Sequence, residues 1–168
     1  MGSVSFSRVI FALKRPGEPF PKMMYEIPGT DEVFISSSTG ATTIFDTLGG
    51  KWGGITSLLD IFKALIPTLV LRILYPESYL YLAVGFFSIL GHIYPVYYRF
   101  KGGRGAATIS GVLLVLDWFG SLFTALLGLI FGVLVHQVSI ARWLGRLLMI
   151  PYAWFRFQDP WIILFLVI

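Results

Sequence analysis

Cysteine is absent from the 168 residues, which excludes a disulfide framework, a thiolate zinc site and a cysteine nucleophile together. Charge is scarce as well. Asp, Glu, Lys and Arg make up 13% of the chain, too few to surface a soluble domain of this length. The two histidines, His92 and His136, lie far apart with no carboxylate cluster, so no metal site is expected. Neither G-x-x-x-x-G-K-[ST] nor a strand-linked G-x-G-x-x-G occurs, which disfavours nucleotide binding. The segment Val4 to Leu13 is short and holds Arg8, so it does not read as the apolar core of a signal peptide, and no cleavage is expected. The formal charge of +4 is spread near the ends of apolar stretches. That pattern points to lipid headgroups or phosphate rather than nucleic acid.

What fills the chain instead is apolar: 56% hydrophobic residues and a mean hydropathy of +0.78. An all-α, polytopic membrane bundle follows, with about five to six membrane segments, formed by a single domain over residues 1–168. Prolines 16, 19, 21 and 28 forbid one continuous helix after the amphipathic start, and residues 16–54 read as a loop region. Ile55 to Tyr75 and Ser78 to Tyr98 form a hairpin of spans. Ala106 to Leu116 is a half-span stopped at Asp117, and Trp118 to Val135 is a full one. Ile140 to Phe155 is another, with Arg142 and Arg146 on one face and Pro151 as a kink. Trp161 to Ile168 is too short to cross alone. Lys51 and the group Arg99, Lys101 and Arg104 fall at one end of the hairpin, against Arg72 at the other. The positive-inside rule therefore puts the loops near 36–54 and 99–105 in the cytoplasm.

The strongest local signal is Phe100-Lys101-Gly102-Gly103-Arg104-Gly105-Ala106-Ala107-Thr108, a glycine-rich turn entering a helix. Such a turn aims backbone N–H groups and a helix dipole at one anion, while Lys101 and Arg104 add full charge. A phosphate group is the expected ligand, and a tight basic loop between two helices is the plainer alternative. Asp60 and Lys63 share one face of a span, where ionisable groups mark cavities or partners; both near the interface would be the inert reading. His92 is a proton carrier or a donor to phosphate, or else a hydrogen-bonded packing residue. Ser36 to Thr43 supplies hydroxyls without a neighbouring histidine, so nothing supports a Ser-His-Asp triad. The aromatics Trp52, Tyr94, Tyr97 and Tyr98 fit an interfacial belt.

Gly91-His92-Ile93-Tyr94-Pro95-Val96, followed by the glycine-rich block, resembles the G-H-x-x-P-V and F-K-G-G-K-G-V-A-T signature of the acyl-phosphate:glycerol-3-phosphate acyltransferases. Gly40-Ala41-Thr42, Leu48-Gly49 and Leu59-Asp60-Ile61-Phe62-Lys63 are similar to that family's G-S-G-N-x-G-A-T-N, L-G and L-D-x-x-K-G run. Gly2-Ser3-Val4-Ser5-Phe6 is similar to its first motif, and Val138-Ser139-Ile140-Ala141 to a later segment. The departures are specific. The motif serine falls on Ser36, but its asparagines fall on Ser38 and Thr43, and a basic residue falls on Asp46. Arg104 stands for lysine, and the chain contains no asparagine. The resemblance implies a seven-span bundle of which the first span and most of the last, with an H-x-E-N block, are not represented.

It also implies acyl transfer from acyl phosphate to the 1-hydroxyl of glycerol 3-phosphate, giving lysophosphatidate in the plasma membrane without metal or organic cofactor. Ser36, Lys101 and Arg104 would be catalytic. Gly102, Gly103, Gly105, Thr108, His92, Asp60, Lys63 and Ser3 would bind substrate or support the loops. Acyltransferases of the H-x-x-x-x-D type are excluded, because five positions after His92 and His136 stand Tyr97 and Ala141. The alternatives are an inactive relative that binds acyl phosphate or phospholipid, and a small transporter subunit with Asp60 and Lys63 on its path. Oligomeric state is not legible.

Overall fold

The computed structural model describes residues 2–26, 33–36 and 39–167, without the side chains of 24–26, 33–36, 138, 139, 141 and 142. Its helices are α1 (Phe6–Lys14), α2 (Ala41–Leu48), α3 (Gly50–Leu74), α4 (Leu80–Ile93), α5 (Ala106–Leu116), α6 (Trp118–Leu134), α7 (Val138–Phe157) and α8 (Pro160–Val167). The helical architecture is the expected one. Between α1 and α2 the chain adds an antiparallel hairpin of β1 (Met23–Glu26) and β2 (Val33–Ser36), with Met23 opposite Ser36. The proline-rich composition of that stretch gave no sign of it.

Local chemistry sets the boundaries. Burial of Ile10 and Phe11 fixes one face of α1, and Pro16 with Gly17 at φ 85° ends it. Helix α3 starts earlier than the expected Ile55. Gly49 at φ 87° separates it from α2, and a Cβ at Gly53 would strike the Cβ of Phe45, so α2 packs closely on the first turn of α3 where Gly50 and Gly53 leave room. Helix α4 stops at Ile93 rather than running to Tyr98, because Tyr94 precedes Pro95 and loses access to the helical region. A 3₁₀ turn, Val96–Tyr98, follows. Asp117 divides α5 from α6 by accepting the Gly120 N–H at 3.0 Å, and Ser121 Oγ returns a bond to Leu113 O at 2.7 Å. Helix α7 continues through Pro151.

Polarity in the bundle is inverted relative to a water-soluble core. On α3 the buried stripe is Gly53, Thr56, Asp60, Lys63, Ala64 and Thr68, while Leu58, Phe62, Ile66, Leu69 and Ile73 face outward. Helix α6 repeats the pattern, with Gly120, Ser121, Thr124, Gly128 and Gly132 inside and Phe119, Leu122, Leu126 and Leu129 outside. Apolar exteriors around small and polar seams are the solution for helices packed in hydrocarbon. The segment Leu80–Tyr98, 19 residues at mean hydropathy 1.4, is long and apolar enough to cross. Close approach replaces bulk at the seams. A Cβ on Gly111 of α5 would meet the Ile61 carbonyl of α3, and one on Gly145 of α7 would lie 2.8 Å from Thr124 O of α6. Two apolar clusters fill the rest: Leu82, Leu113, Leu116, Met149 and Ile162 in one, and Ile10, Phe11 and Ile44 in the other.

Candidate active site

The glycine loop is held from three sides by groups distant in sequence. Thr39 donates its N–H to Gly102 O at 3.1 Å and its hydroxyl to Lys101 O at 3.3 Å, and Arg8 of α1 also reaches Lys101 O, at 3.4 Å. Gly103 N–H donates to His92 O at 3.2 Å. Gly102 and Gly103 have no room for a side chain: a Cβ on the first would fall on the His92 and Ile93 carbonyl oxygens, and on the second against the His92 ring. Their role here is close packing onto the end of α4. Arg99 and Phe100 enter the loop at φ 52° and 60°, a left-handed pair that costs about 1–2 kcal/mol per residue. The bonds from Phe100 N–H to Pro95 O and Lys101 N–H to Tyr98 O hold it, each at 3.1 Å.

Behind the loop, Lys63 ties three segments together. Its ammonium lies 2.8 Å from Asp60 Oδ1, donates to Val4 O at 2.9 Å, and stands 2.7 Å from His92 Nδ1. An ammonium has three N–H donors and no acceptor, so these three partners account for it, and Nδ1 of His92 takes the acceptor role. Asp60 is 2% exposed and Lys63 6%. A pair that dry must be mutual to be tolerated, and it positions α3, α4 and the N-terminal segment rather than offering a reactive amine.

In front of the loop is a cavity of about 320 Å³ lined by residues from both motif regions, Gly40 to Thr43 and Arg104 to Ala107. These are the first turns of α2 and α5. Both helices therefore aim their N-terminal N–H groups and dipoles at one space. Arg104 lines the cavity from the loop, and Arg146 enters from α7, donating to Ala106 O at 3.2 Å. Asp60, His92, Ser57 and Ser110 complete the polar wall. A second cavity, about 480 Å³, lies between α5, α6 and α7, with Ser110 and Arg146 common to both and Leu113, Leu114, Leu122 and Leu129 on its walls. The polar cavity thus adjoins an apolar slot across Ser110 and Arg146.

The residues expected from sequence are distributed as follows. Arg104, Gly105, His92 and Asp60 reach the first cavity; Lys63 stands behind it. Lys101 is exposed and outside the cavity wall, and Thr108 is buried within α5 with its hydroxyl unpartnered among the described residues. Ser3 lies beside α4, where its N–H nitrogen would be 2.9 Å from a Cβ on Gly91. The Ser36 side chain is outside the described residues, but its backbone pairs with Met23, which lines the cavity. Sequence reasoning missed Ser57, Ser110, Thr39 and the inward role of Arg146. The signal for Arg146 was present: an arginine deep in an apolar helix needs a cavity or a partner.

The described residues include no group of three or more His, Cys, Asp or Glu able to hold a metal ion. A sequence model of the family described as glycerol-3-phosphate acyltransferase matches residues 32–168. A curated glycerol-3-phosphate acyltransferase of Methylococcus capsulatus is 38% identical over 120 residues, covering 71% of this chain and 60% of the relative. The chain therefore spans three fifths of that relative's length. The fold superposes on PlsY, an integral membrane glycerol 3-phosphate acyltransferase. The glycerol 3-phosphate form gives a TM-score of 0.80 at 28% identity, covering 99% of this chain and 77% of PlsY. The lysophosphatidic acid form gives 0.78 at 28% identity, with coverages of 99% and 76%. On the extent of the family match and the shared fold, this chain belongs to the glycerol-3-phosphate acyltransferase family.

Proposed function

We propose that the chain transfers a fatty acyl group from acyl phosphate to the 1-hydroxyl of glycerol 3-phosphate, releasing phosphate and lysophosphatidate. The observation that carries this reading is the adjacency of two cavities that share Ser110 and Arg146, one polar and cationic, the other apolar. The substrates have that same division. In the step itself, the glycerol oxygen forms a bond to the acyl carbon, the acyl carbon–phosphate oxygen bond breaks, and the hydroxyl proton leaves with the phosphate. The donor is already activated, so positioning and charge neutralisation suffice without a protein nucleophile.

Arg104, Arg146 and the N-termini of α2 and α5 are assigned to the phosphate groups and to the charge that grows on the leaving oxygen. Ser36 is assigned to orienting a substrate, and Lys101, exposed at the rim, to attracting anions toward the site. Asp60, Lys63 and His92 hold the floor. The acyl chain lies in the slot between α5, α6 and α7. By the charge distribution, the site faces the cytoplasm from the plasma membrane.

The test is phosphate release from palmitoyl phosphate by the purified protein in detergent, with and without glycerol 3-phosphate, beside Arg104→Ala. Release that depends on glycerol 3-phosphate and disappears in the variant supports the reading. Binding of acyl phosphate without release would instead identify an inactive relative.

A further inference from the structure

The end of the bundle away from the glycine loop carries a second cationic site that the acyl transfer does not use. Along α3 from Asp60 to Arg72, and along α7 from Arg146 to Arg156, helix rise separates it from the first cavity by about 15–18 Å. There Arg72, Arg156, Asp117 and Trp118 surround a cavity of about 210 Å³ at the break between α5 and α6. Arg72 is fixed by donation to Leu116 O at 2.9 Å and by the Tyr81 ring, whose centre is 5.6 Å from the guanidinium carbon. Arg156 is exposed and lies over the Phe157 ring. Asp117 turns inward, with one carboxylate oxygen accepting from Gly120 N–H and the other from Tyr152 OH at 3.0 Å. Two cations therefore face this cavity against one anion already engaged elsewhere.

The same residues open an apolar groove. Arg72, Val115 and Trp118 also line a space of about 510 Å³ whose other walls are Leu65, Leu69 and Ile73 of α3 and Leu114 of α5. Leu69, Ile73 and Trp118 are outward-facing. One guanidinium on an apolar groove, a second on the adjoining cavity, and a tryptophan common to both match one ligand chemistry: a phosphate-bearing headgroup with an alkyl chain attached. Guanidinium forks suit phosphate oxygens, and tryptophan suits the level of the headgroups.

We propose that Arg72 and Arg156 with the α3–α5 groove form a binding site for an intact anionic phospholipid, separate from the cavity assigned to acyl transfer. The headgroup phosphate sits between the two arginines, and one acyl chain runs along Leu65, Leu69 and Ile73. The inference rests on the chain being embedded in lipid and not on its acyltransferase activity.

Melting of the purified protein in detergent, followed by tryptophan fluorescence, is measured against added dioleoyl phosphatidylglycerol, dioleoyl phosphatidylcholine or inorganic phosphate. Phosphatidylglycerol is expected to raise the melting temperature in a saturable way, and the other two to do little. Arg156→Gln, at an exposed position, should weaken the apparent affinity about fivefold, and Leu69→Trp should do so by filling the groove. Arg104→Gln, at the other end, should leave the response intact. The proposal is overturned if phosphatidylcholine works as well, if inorganic phosphate alone reproduces the effect, or if Arg156→Gln leaves the apparent affinity for phosphatidylglycerol unchanged. Weakened affinity in Arg104→Gln with unchanged affinity in Arg156→Gln would place the lipid in the first cavity and equally overturn it.

Discussion

Replacing Lys63 by methionine tests what the buried triad contributes. The substitution keeps the length of the side chain but removes the ammonium that Asp60, Val4 O and His92 Nδ1 share. Asp60, 2% exposed, is then left as an uncompensated buried charge, for which the expected cost is about 3–5 kcal/mol. In a chain of this length that corresponds to a fall in melting temperature of about 6–20 °C. The paired change Asp60→Leu with Lys63→Met removes both charges and should recover much of the loss, because apolar replacement of a whole buried pair is often near neutral. The cycle of wild type, two single variants and the double should thus give a coupling of at least about 2 kcal/mol. Unfolding of the four proteins in mixed detergent micelles, read by tryptophan fluorescence, supplies the free energies. A single-variant cost under about 1 kcal/mol, or a double variant as poor as the sum of the singles, would refute the role given to the pair.

Three further expectations concern separate parts of the molecule. Gly111→Ala puts a methyl group against the Ile61 carbonyl and should cost about 1–3 kcal/mol by overpacking, seen as a lower melting temperature; an unchanged value would mean α3 and α5 are not so closely joined. Arg146→Gln should lower glycerol 3-phosphate-dependent phosphate release about 100-fold, as expected for losing one aligned charge donor, while far-ultraviolet circular dichroism stays unchanged. Full activity would remove Arg146 from the site. In the turns, Tyr79 OH donates to Asp159 Oδ2 at 2.7 Å, which holds the Asp159 carboxyl below, and the Tyr79 hydroxyl above, its ordinary range. The carboxyl's contribution to stability is complete above its unfolded value of about 3.9 and lost as pH falls through the lower folded value. That of the phenol is complete below about 10 and lost at higher pH. Tyr79→Phe should therefore flatten the stability profile at both extremes, and an identical profile would show that the bond is not formed.

The helices from α3 onward were largely legible because apolar runs and their breakers act locally, whereas α2 (Ala41–Leu48) lies inside the stretch 16–54 that read as loop. Asp117 ends α5 where the sequence suggested, since a carboxylate that caps the next helix also interrupts the apolar run. The early start of α3 was not legible. Gly50, Gly53 and Gly54 are poor helix formers, and the Phe45 side chain that closes on Gly50 and Gly53 cannot be read along the chain. The hairpin of β1 and β2 was hidden for a similar reason: its pairing links Met23 to Ser36 across Pro28 and Gly29, which locally favour loop.

The site was half legible, and the division follows from how its charges are delivered. Arg104 belongs to a contiguous motif whose glycines can be read along the chain, even though two of them turn out to serve the His92 contact. Arg146 comes from α7, and only the three-dimensional meeting of α7 with the start of α5 brings it to Ala106 O. The departures from the family pattern bear on the same point. The resemblance places a basic residue where Asp46 stands, and Asp46 is exposed on α2 and absent from the cavity wall. The second cation of the cavity is supplied by a different helix. A phosphate is satisfied by the number and direction of donors around it, not by the segment they come from. Two converging helix N-termini and two guanidiniums can meet that requirement in a chain without a single asparagine.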